Sequence, residues 1–405
     1  MKMKKYIFII TFLSFLISCM KGVDKHAITK KIDSANLMKV VYDNDYEIIN
    51  SEENEKIDFH KCNEKIKSIK YIGLISDEPI SDFYQIIVFD EKIYVLDINT
   101  EKIFIFGTNG KIVKVISDKG GGPKEYIGLG TMCISKTDSC LIVSDRLSMR
   151  LLYYSIEGNF LKKVKGIASC FIESYGDKII NQLDFGQSFS YDSNLNFHIV
   201  STINDSILNK AFPLYPIHKN TTVYKTLSYN NKGDLLFSPL FSDTVYQILN
   251  DSVYAPKYVI KQKKSIWNKK HESLSVGEQL ALIKNEQYTC LGKPFLETDY
   301  FIAYKIQISG GDVPFFASVD YYYDKTKKKS FYFSGAPDPI TVPNFIPPVQ
   351  AIYNNFFVGY ISQDNIASIR EWKKTHELYI ENEEFRNLIE SDVDWEGIIV
   401  MYELK

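Results

Sequence analysis

The feature that most constrains this fold is a gapless repeat of 48 residues. Ile93-Tyr94-Val95-Leu96-Asp97, Ile103-Phe104-Ile105-Phe106 and Asn109-Gly110-Lys111-Ile112 align with Leu141-Ile142-Val143-Ser144-Asp145, Leu151-Leu152-Tyr153-Tyr154 and Glu157-Gly158-Asn159-Phe160, always at an offset of 48. Each copy supplies two strands joined by four residues, a turn ending in glycine, and a further strand. With Gln85 to Phe89 and Thr131 to Ser135 as preceding strands, the unit is a four-stranded meander, and meanders repeated at this period build propeller blades.

Later copies are weaker but legible. Ser190 to Phe197 reads as strand, turn and strand of a third unit, and Ser228 to Phe237 followed by Asp243 to Ile248 as a fourth. Phe316 to Tyr323, the turn Asp324 to Lys328, and Lys329 to Phe333 supply a fifth; Asn354 to Tyr360 and Gly397 to Leu404 supply a sixth. Three stretches break the pattern. Ser275-Val276-Gly277-Glu278 is a capping box, and Val276, Leu280 and Ile283 follow helical spacing, so 275–288 is expected to be helical. Asp364 to Lys373 and Asn382 to Glu390 carry the same periodicity. With the insertions set aside, residues 66–405 hold about six units, so the expected fold is all-β: a six-bladed β-propeller with four-stranded blades and small helical insertions. A ring must close or leave an open sheet edge. The expected clasp is a strand near Ile66 to Leu74 pairing with Ile398 to Leu404.

Composition agrees. The chain has 405 residues, 45% hydrophobic, with 28 Tyr and 26 Phe against 3 Trp, and aromatic and β-branched side chains suit pleated, half-buried surfaces. Disorder is excluded by that apolar content. With 48 basic against 50 acidic side chains and no long basic run, no nucleic-acid partner is expected, because a phosphate-binding face needs clustered Lys and Arg.

The N-terminus reads as an address. Lys2, Lys4 and Lys5 precede an apolar run from Tyr6 to Ile17, too short to span a bilayer, and Leu16-Ile17-Ser18-Cys19 resembles a bacterial lipobox. Residues 1–18 are thus expected to be a lipoprotein signal peptide, Cys19 the acylated residue and the membrane its first partner, through lipid. Residues 19–65, polar and rich in Lys, Asp, Glu and Asn, read as a tether. Met20 is not the Asp that retains lipoproteins at the inner membrane in enteric bacteria, so the outer membrane is the expected location, with both its periplasmic face and the cell surface open. Beyond Cys19 stand Cys62, Cys133, Cys140, Cys170 and Cys290. A bridge between Cys133 and Cys140 across their hairpin is one reading and small buried apolar residues the other.

The lipobox, the segment Gly120-Gly121-Gly122-Pro123-Lys124-Glu125-Tyr126, the run Ser238 to Tyr246 and the closing Ile399 to Lys405 together resemble a family of six-bladed β-propeller lipoproteins of gut-dwelling Gram-negative anaerobes. The resemblance covers nearly the whole chain and implies an NHL-like propeller. Lys124 departs from it, standing where the family usually has a second glycine before Glu-Tyr.

Few residues signal chemistry. Consecutive amides of Gly120, Gly121 and Gly122 can form an anion-binding nest, with Glu125 and Tyr126 beside a bound molecule; a tight crossover between blades explains the same glycines without a ligand. Asp97 with Lys102, and Asp145 with Arg150, flank equivalent hairpin loops and can pair across them. Asp324 and Lys329 repeat that spacing. Six scattered histidines without HExxH or CxxC spacing imply no metal site, no catalytic residue is singled out, and no cofactor is implied. The expected inner strands of the first two units contain no Asp or Glu, and Glu173 falls on the third. The expectation is therefore a binding or interaction module for a glycan, peptide or envelope partner. The alternative is a metal-assisted hydrolase or lyase of the lactonase-like propeller type.

Overall fold

Short apolar runs bounded by turn residues become strands throughout the computed structural model. It describes residues 35–42, 45–165, 171–182, 195–201, 207–213, 225–239, 242–265, 278, 281, 287–310, 313–334, 344–375 and 380–405. The strands fall into six sheets. Sheet 1 is Gln85–Phe89, Lys92–Asp97, Lys102–Gly107 and Ile112–Ile116; sheet 2 is Leu129–Ser135, Cys140–Asp145, Arg150–Ser155 and Phe160–Lys165. Sheet 3 runs through Phe171–Tyr175, Lys178–Gln182, Leu195–Ser201 and Ile207–Pro213, and sheet 4 through Leu227–Tyr229, Leu235–Phe237, Thr244–Asn250 and Val253–Lys261. Sheet 5 has an inner strand in two pieces, Tyr288–Leu291 and Leu296–Glu297, followed by Phe301–Gly310, Val313–Asp324 and Lys329–Ser334. Sheet 6 is Ala351–Tyr353, Phe356–Ser362, Gly397–Leu404 and Ile66–Leu74.

The arrangement is a β-propeller. Inner strands of sheets 6 and 1, 1 and 2, 2 and 3, 4 and 5, and 5 and 6 lie against one another. Sheets 3 and 4 are stapled by Gln182 Oε1, which accepts from Thr226 N at 3.1 Å and Thr226 Oγ1 at 2.7 Å, and by the Tyr229 hydroxyl on the Ser174 carbonyl. Ile66–Leu74 pairs antiparallel with Gly397–Leu404, Ile72 opposite Ile399 and Ile69 opposite Tyr402, which is the expected clasp. The core lies between neighbouring sheets. Tyr94, Phe104 and Phe106 of sheet 1 and Leu141, Val143 and Tyr154 of sheet 2 are fully buried or nearly so.

The 48-residue repeat extends to backbone conformation. Positive φ recurs at Glu91 and Ser139 (56° and 47°), at Glu101 and Met149 (54° and 53°), and at Gly110 and Gly158 (78° and 84°). Each pair is one turn of the meander, and only the last is built from glycine, the residue that adopts this region freely.

Residues 36–58 correct the expected tether. Asn36–Leu37 pairs in parallel with the outer strand of sheet 3; Lys39–Val40 and Glu47–Asn50 pair with that of sheet 4; Asn54–Asp58 pairs with that of sheet 5. The segment is a strap laced along three sheet edges. Met38, Ile49 and Ile57 of the strap are themselves buried against the sheets, each worth roughly 1.5–3 kcal/mol as apolar burial. A short 3-10 helix, Phe59–Glu64, then leads into the clasp. The unstrapped outer strands carry Lys114 on sheet 1, Lys162, Lys163 and Lys165 on sheet 2, and Lys67 and Lys70 on sheet 6, charges that discourage pairing with another chain.

Helix α1 (Gln363–Thr375) and helix α2 (Glu383–Glu390) match the expected insertions. Asn382 Oδ1 caps α2 by accepting from Phe385 N at 2.9 Å, and Phe385 stacks on Tyr71 with ring centroids 4.8 Å apart. Of the helix read over 275–288, most lies outside the described residues; Glu278 and Ala281 are helical. Residues 190–194 of the third unit's turn also lie outside them. Among the described residues no helix is long and apolar enough to cross a membrane. Cys133 stands opposite Ile142 and Cys140 opposite Ser135, so the two are not cross-strand partners; both are free and buried, as are Cys62 and Cys290.

Candidate functional site in the axial cavity

The glycine segment carries the outer strand of sheet 1 over to the inner strand of sheet 2, and it is closed on itself. Gly120 N donates to the Tyr126 carbonyl at 2.8 Å, and Tyr126 N to the Asp118 carbonyl at 3.1 Å. The carboxylate of Glu125 folds back to accept from Gly122 N at 2.6 Å, and a Cβ on Gly120 would collide with it. Tyr126 is fully buried among Tyr94, Ile105, Leu129 and Tyr154, its hydroxyl donating to the Glu101 carbonyl. Burial holds that phenol well above its usual range. The reading of Gly120, Gly121, Gly122, Glu125 and Tyr126 as a ligand site is therefore corrected. The chain's own carboxylate occupies the nest, and the tyrosine is core. Cys19 lies outside the described residues.

The aspartates at the hairpin bases also differ from expectation. Asp97 and Lys102 are register partners, but Lys102 Nζ reaches Glu78 at 2.6 Å. The Asp97 carboxylate instead accepts from the amides of Ser81 (2.7 Å), Asn99 (3.0 Å) and Thr100 (3.2 Å). Burial works to raise its pKa, yet these donors outweigh it and hold the carboxyl below its ordinary value. The Asp145 carboxylate likewise accepts hydrogen bonds from the amides of Ile127, Gly128 and Ser148, and that of Asp324 from the amides of Thr326 and Lys327. The repeated aspartate closes a loop by side-chain capping of amides.

A large open space runs along the axis. A cavity of about 940 Å³ is lined from all six sheets, by Tyr84 to Asp90, Ile134, Lys136, Phe171, Glu173, Lys225 to Asn231, Lys293 to Leu296, Asp299, Lys305 and Gln350 to Asn355. Each meander starts at the axis, so residues preceding the inner strands gather at one mouth and residues following them at the other. At the first mouth Tyr84 and Phe171 hold their rings nearly parallel, 7° apart in plane with centroids 6.5 Å apart. Tyr84 is 39% exposed. Just inside, Lys225 Nζ pairs with Glu173 at 2.7 Å. At the second mouth Asn231 Nδ2 donates to Asn355 Oδ1 at 2.8 Å, an oxygen that also accepts from Asp299 N at 3.1 Å, and Lys136 Nζ sits 5.5 Å from the centre of the Tyr229 ring.

Behind the wall, Glu297 ties sheets 4 and 5 together. It is 3% exposed and accepts from Asn230 Nδ2 (3.1 Å), Tyr258 Oη (2.8 Å) and Lys325 Nζ (2.7 Å), with Lys257 Nζ at 3.1 Å. Burial raises its carboxyl, but the surrounding donors and cations prevail and lower it. Among the described residues no three His, Cys, Asp or Glu side chains stand together as a metal ligand set. Sequence reasoning placed Glu173 on an inner strand correctly and missed Tyr84, Phe171, Lys225 and Asn355. Their shared signal is position, at an end of an inner strand or within two residues of it.

The family model described as a domain of unknown function, DUF4934, matches residues 46–403. The solved structure of BF0058 of Bacteroides fragilis NCTC 9343, described as an exported protein, aligns at a TM-score of 0.66 with 15% identity, covering 88% of this chain and 99% of that one. A member of the DUF4221 family from Bacteroides vulgatus ATCC 8482 aligns at 0.48 with 12% identity, covering 84% and 97%. At this identity the likeness to BF0058 is one of fold. No curated protein matches the chain.

Proposed function

The chain belongs to the DUF4934 family, and from that premise we propose that it is an exported, lipid-anchored binding module that holds a glycan in the axial cavity of a six-bladed propeller. The observation that carries the reading is the parallel Tyr84–Phe171 pair at the mouth of a cavity lined from all six sheets. The Tyr84 ring, 39% exposed and backed by the buried Phe171, offers a flat apolar face at the opening, which suits the C–H face of a sugar ring. The Asn231, Asn355 and Asp299 cluster at the far mouth and the Glu173–Lys225 pair supply the few directed polar contacts that such a site uses for orientation. The size of the cavity, about 940 Å³, is in the range of sites that bury an oligosaccharide-sized ligand.

Six sheets with inner strands in ring order, closed by a strand from each end of the domain, support six blades. The lipobox at Cys19 and the description of BF0058 as exported support the location, at the outer membrane. A panel of oligosaccharides and peptides tests the reading. Wild type is expected to bind members of the oligosaccharide set, with Tyr84→Ala and Phe171→Ala each weakening that binding at least tenfold. Binding confined to peptides, or binding indifferent to both substitutions, would overturn it.

A further inference from the structure

The outward face of the strap is apolar. Among the described residues fifteen large apolar or aromatic side chains stand out to solvent, and five of them, Leu37, Val41, Tyr42, Tyr46 and Ile48, fall within twelve residues of the strap. Strand alternation produces two of these. Met38 and Ile49 turn into the core while their neighbours Leu37 and Ile48 turn out, 63% and 59% exposed. The tyrosines come from a mismatch in length. Val40 stands opposite Tyr254 and Glu47 opposite Tyr258, so the strap takes seven steps where the outer strand of sheet 4 takes four. Tyr42 and Tyr46 lie within that excess, 73% and 41% exposed. On the unstrapped edges, by contrast, Val113 and Leu161 each stand out beside lysines.

The charge of the strap does not ask for a charged partner. Asp43 and Asp45 stand against Lys39 in the sequence, and the Glu47 carboxylate is taken up by Lys328 Nζ at 2.6 Å and by the Tyr323 hydroxyl. What lies nearest along the chain is the anchor. Asn36 follows Cys19 by 17 positions, at most about 60 Å of chain, so acyl chains on Cys19 hold the start of the strap within that distance of a bilayer. A tether of that kind makes the next contact intramolecular, and apolar contacts too weak to hold a free protein then suffice. Aliphatic side chains with tyrosines among them are also what settles at headgroup level, with rings in the interface and hydroxyls in water.

We infer that the strap is a membrane-contact face: Leu37, Val41, Tyr42, Tyr46 and Ile48 rest in the headgroup region of the leaflet that holds the Cys19 lipid, by apolar burial and not by charge. The contact rests on the acylation of Cys19 proposed above and is independent of what the cavity holds. It also sets an orientation. The strap runs along the outer edges of sheets 3 and 4, which are the rim of the propeller. A propeller resting on its rim holds its axis along the membrane plane, with both mouths of the cavity clear of the lipid.

The test is hydroxyl-radical footprinting, read by mass spectrometry at single tyrosines, on vesicles of three parts phosphatidylethanolamine to one of phosphatidylglycerol. One arm uses the lipidated full chain, with the Cys19→Ala chain in solution as its reference. A second arm uses the mature chain with an N-terminal hexahistidine on the same vesicles doped with a nickel-chelating lipid, which supplies the tether whether or not Cys19 is acylated. On vesicles the oxidation of Tyr42 and Tyr46 is expected to fall about fivefold, while Tyr84 at the cavity mouth and Tyr300, 53% exposed on sheet 5, stay as reactive as in solution. The protection is expected to persist in molar salt and without phosphatidylglycerol, because no charge carries it. Leu37→Ser with Ile48→Ser should restore the oxidation of Tyr42 and Tyr46, with the fold retained by circular dichroism. Tyr42 and Tyr46 as reactive on vesicles as in solution in the tethered second arm would overturn the inference, as would protection that appears on intact cells and is missing from protein-free vesicles, which would assign the face to a protein. A native chain that carries no lipid and does not float with vesicles would instead defeat the anchoring reading, and the second arm still decides the contact.

Discussion

Replacing Lys293 with Met should make the protein more stable, and by an amount that depends on pH. The unfolded lysine titrates at about 10.4, the folded one at about 7. Between those values the unfolded chain binds a proton that the folded chain does not, so stability rises with pH across the window from about 7 to 10.5. One bound proton corresponds to about 1.4 kcal/mol per pH unit, and the accumulated cost of burying the amine is roughly 4 kcal/mol at neutral pH. Methionine fills a similar volume without that cost. It forfeits the bond to Ser238 Oγ, worth about 1 kcal/mol, while Ser238 keeps the Thr226 carbonyl as a partner. The net expectation is a gain of about 2–3 kcal/mol at pH 7 that has largely gone by pH 10. Urea unfolding of both proteins at pH 6, 7, 8.5 and 10 measures it directly, because titrating groups other than the neighbouring Cys290 cancel in the difference. A difference that does not change with pH, or a variant less stable than wild type at pH 7, would refute the reasoning.

Other consequences follow from the same geometry. Tyr126→Ala should cost roughly 3–5 kcal/mol in urea unfolding, because the ring is fully buried, while leaving oligosaccharide affinity of the folded protein unchanged. Deleting residues 36–58 uncovers the outer edges of sheets 3, 4 and 5 and should lower the thermal midpoint and produce aggregates by light scattering; a monomer of unchanged midpoint would show that the strap is dispensable. Cys19→Ala should move the protein from the membrane fraction to the soluble one, and retention in the membrane would mean that the lipobox resemblance is coincidental.

The parts of the fold that were legible are those where local chemistry repeats. Strand, four-residue loop, strand and glycine turn recur at 48 residues because each turn demands the same backbone sign, as Gly110 and Gly158 show. The clasp was legible because a ring has only one way to hide its last edge. The strap was not, since its strands are two to five residues long and held by single apolar residues, Met38, Ile49 and Ile57, spaced too widely to make a pattern. Read as composition, such a segment is a polar tether. The glycine segment misled for a related reason. A nest and a crossover need the same amides, and only the fold reveals that Glu125 fills the nest. The candidate site was the least legible feature, because Tyr84, Phe171, Lys225, Lys293 and Asn355 come from sheets 1, 3, 4, 5 and 6 and share no motif. Asp97 and Asp145 were singled out correctly as repeated positions, but their partners are backbone amides across a loop, which spacing alone does not distinguish from a pair with Lys102 or Arg150.

Where a bound molecule touches the chain is the most direct test of an axial site. Hydrogen exchange of the wild-type protein, with and without the tightest-binding oligosaccharide of the panel, reads this segment by segment. Protection is expected at 84–90, 171–175, 225–231 and 350–355, with 119–128 unchanged. Protection confined to 119–128 or to the outer strands, with the inner strands unaffected, would contradict an axial site.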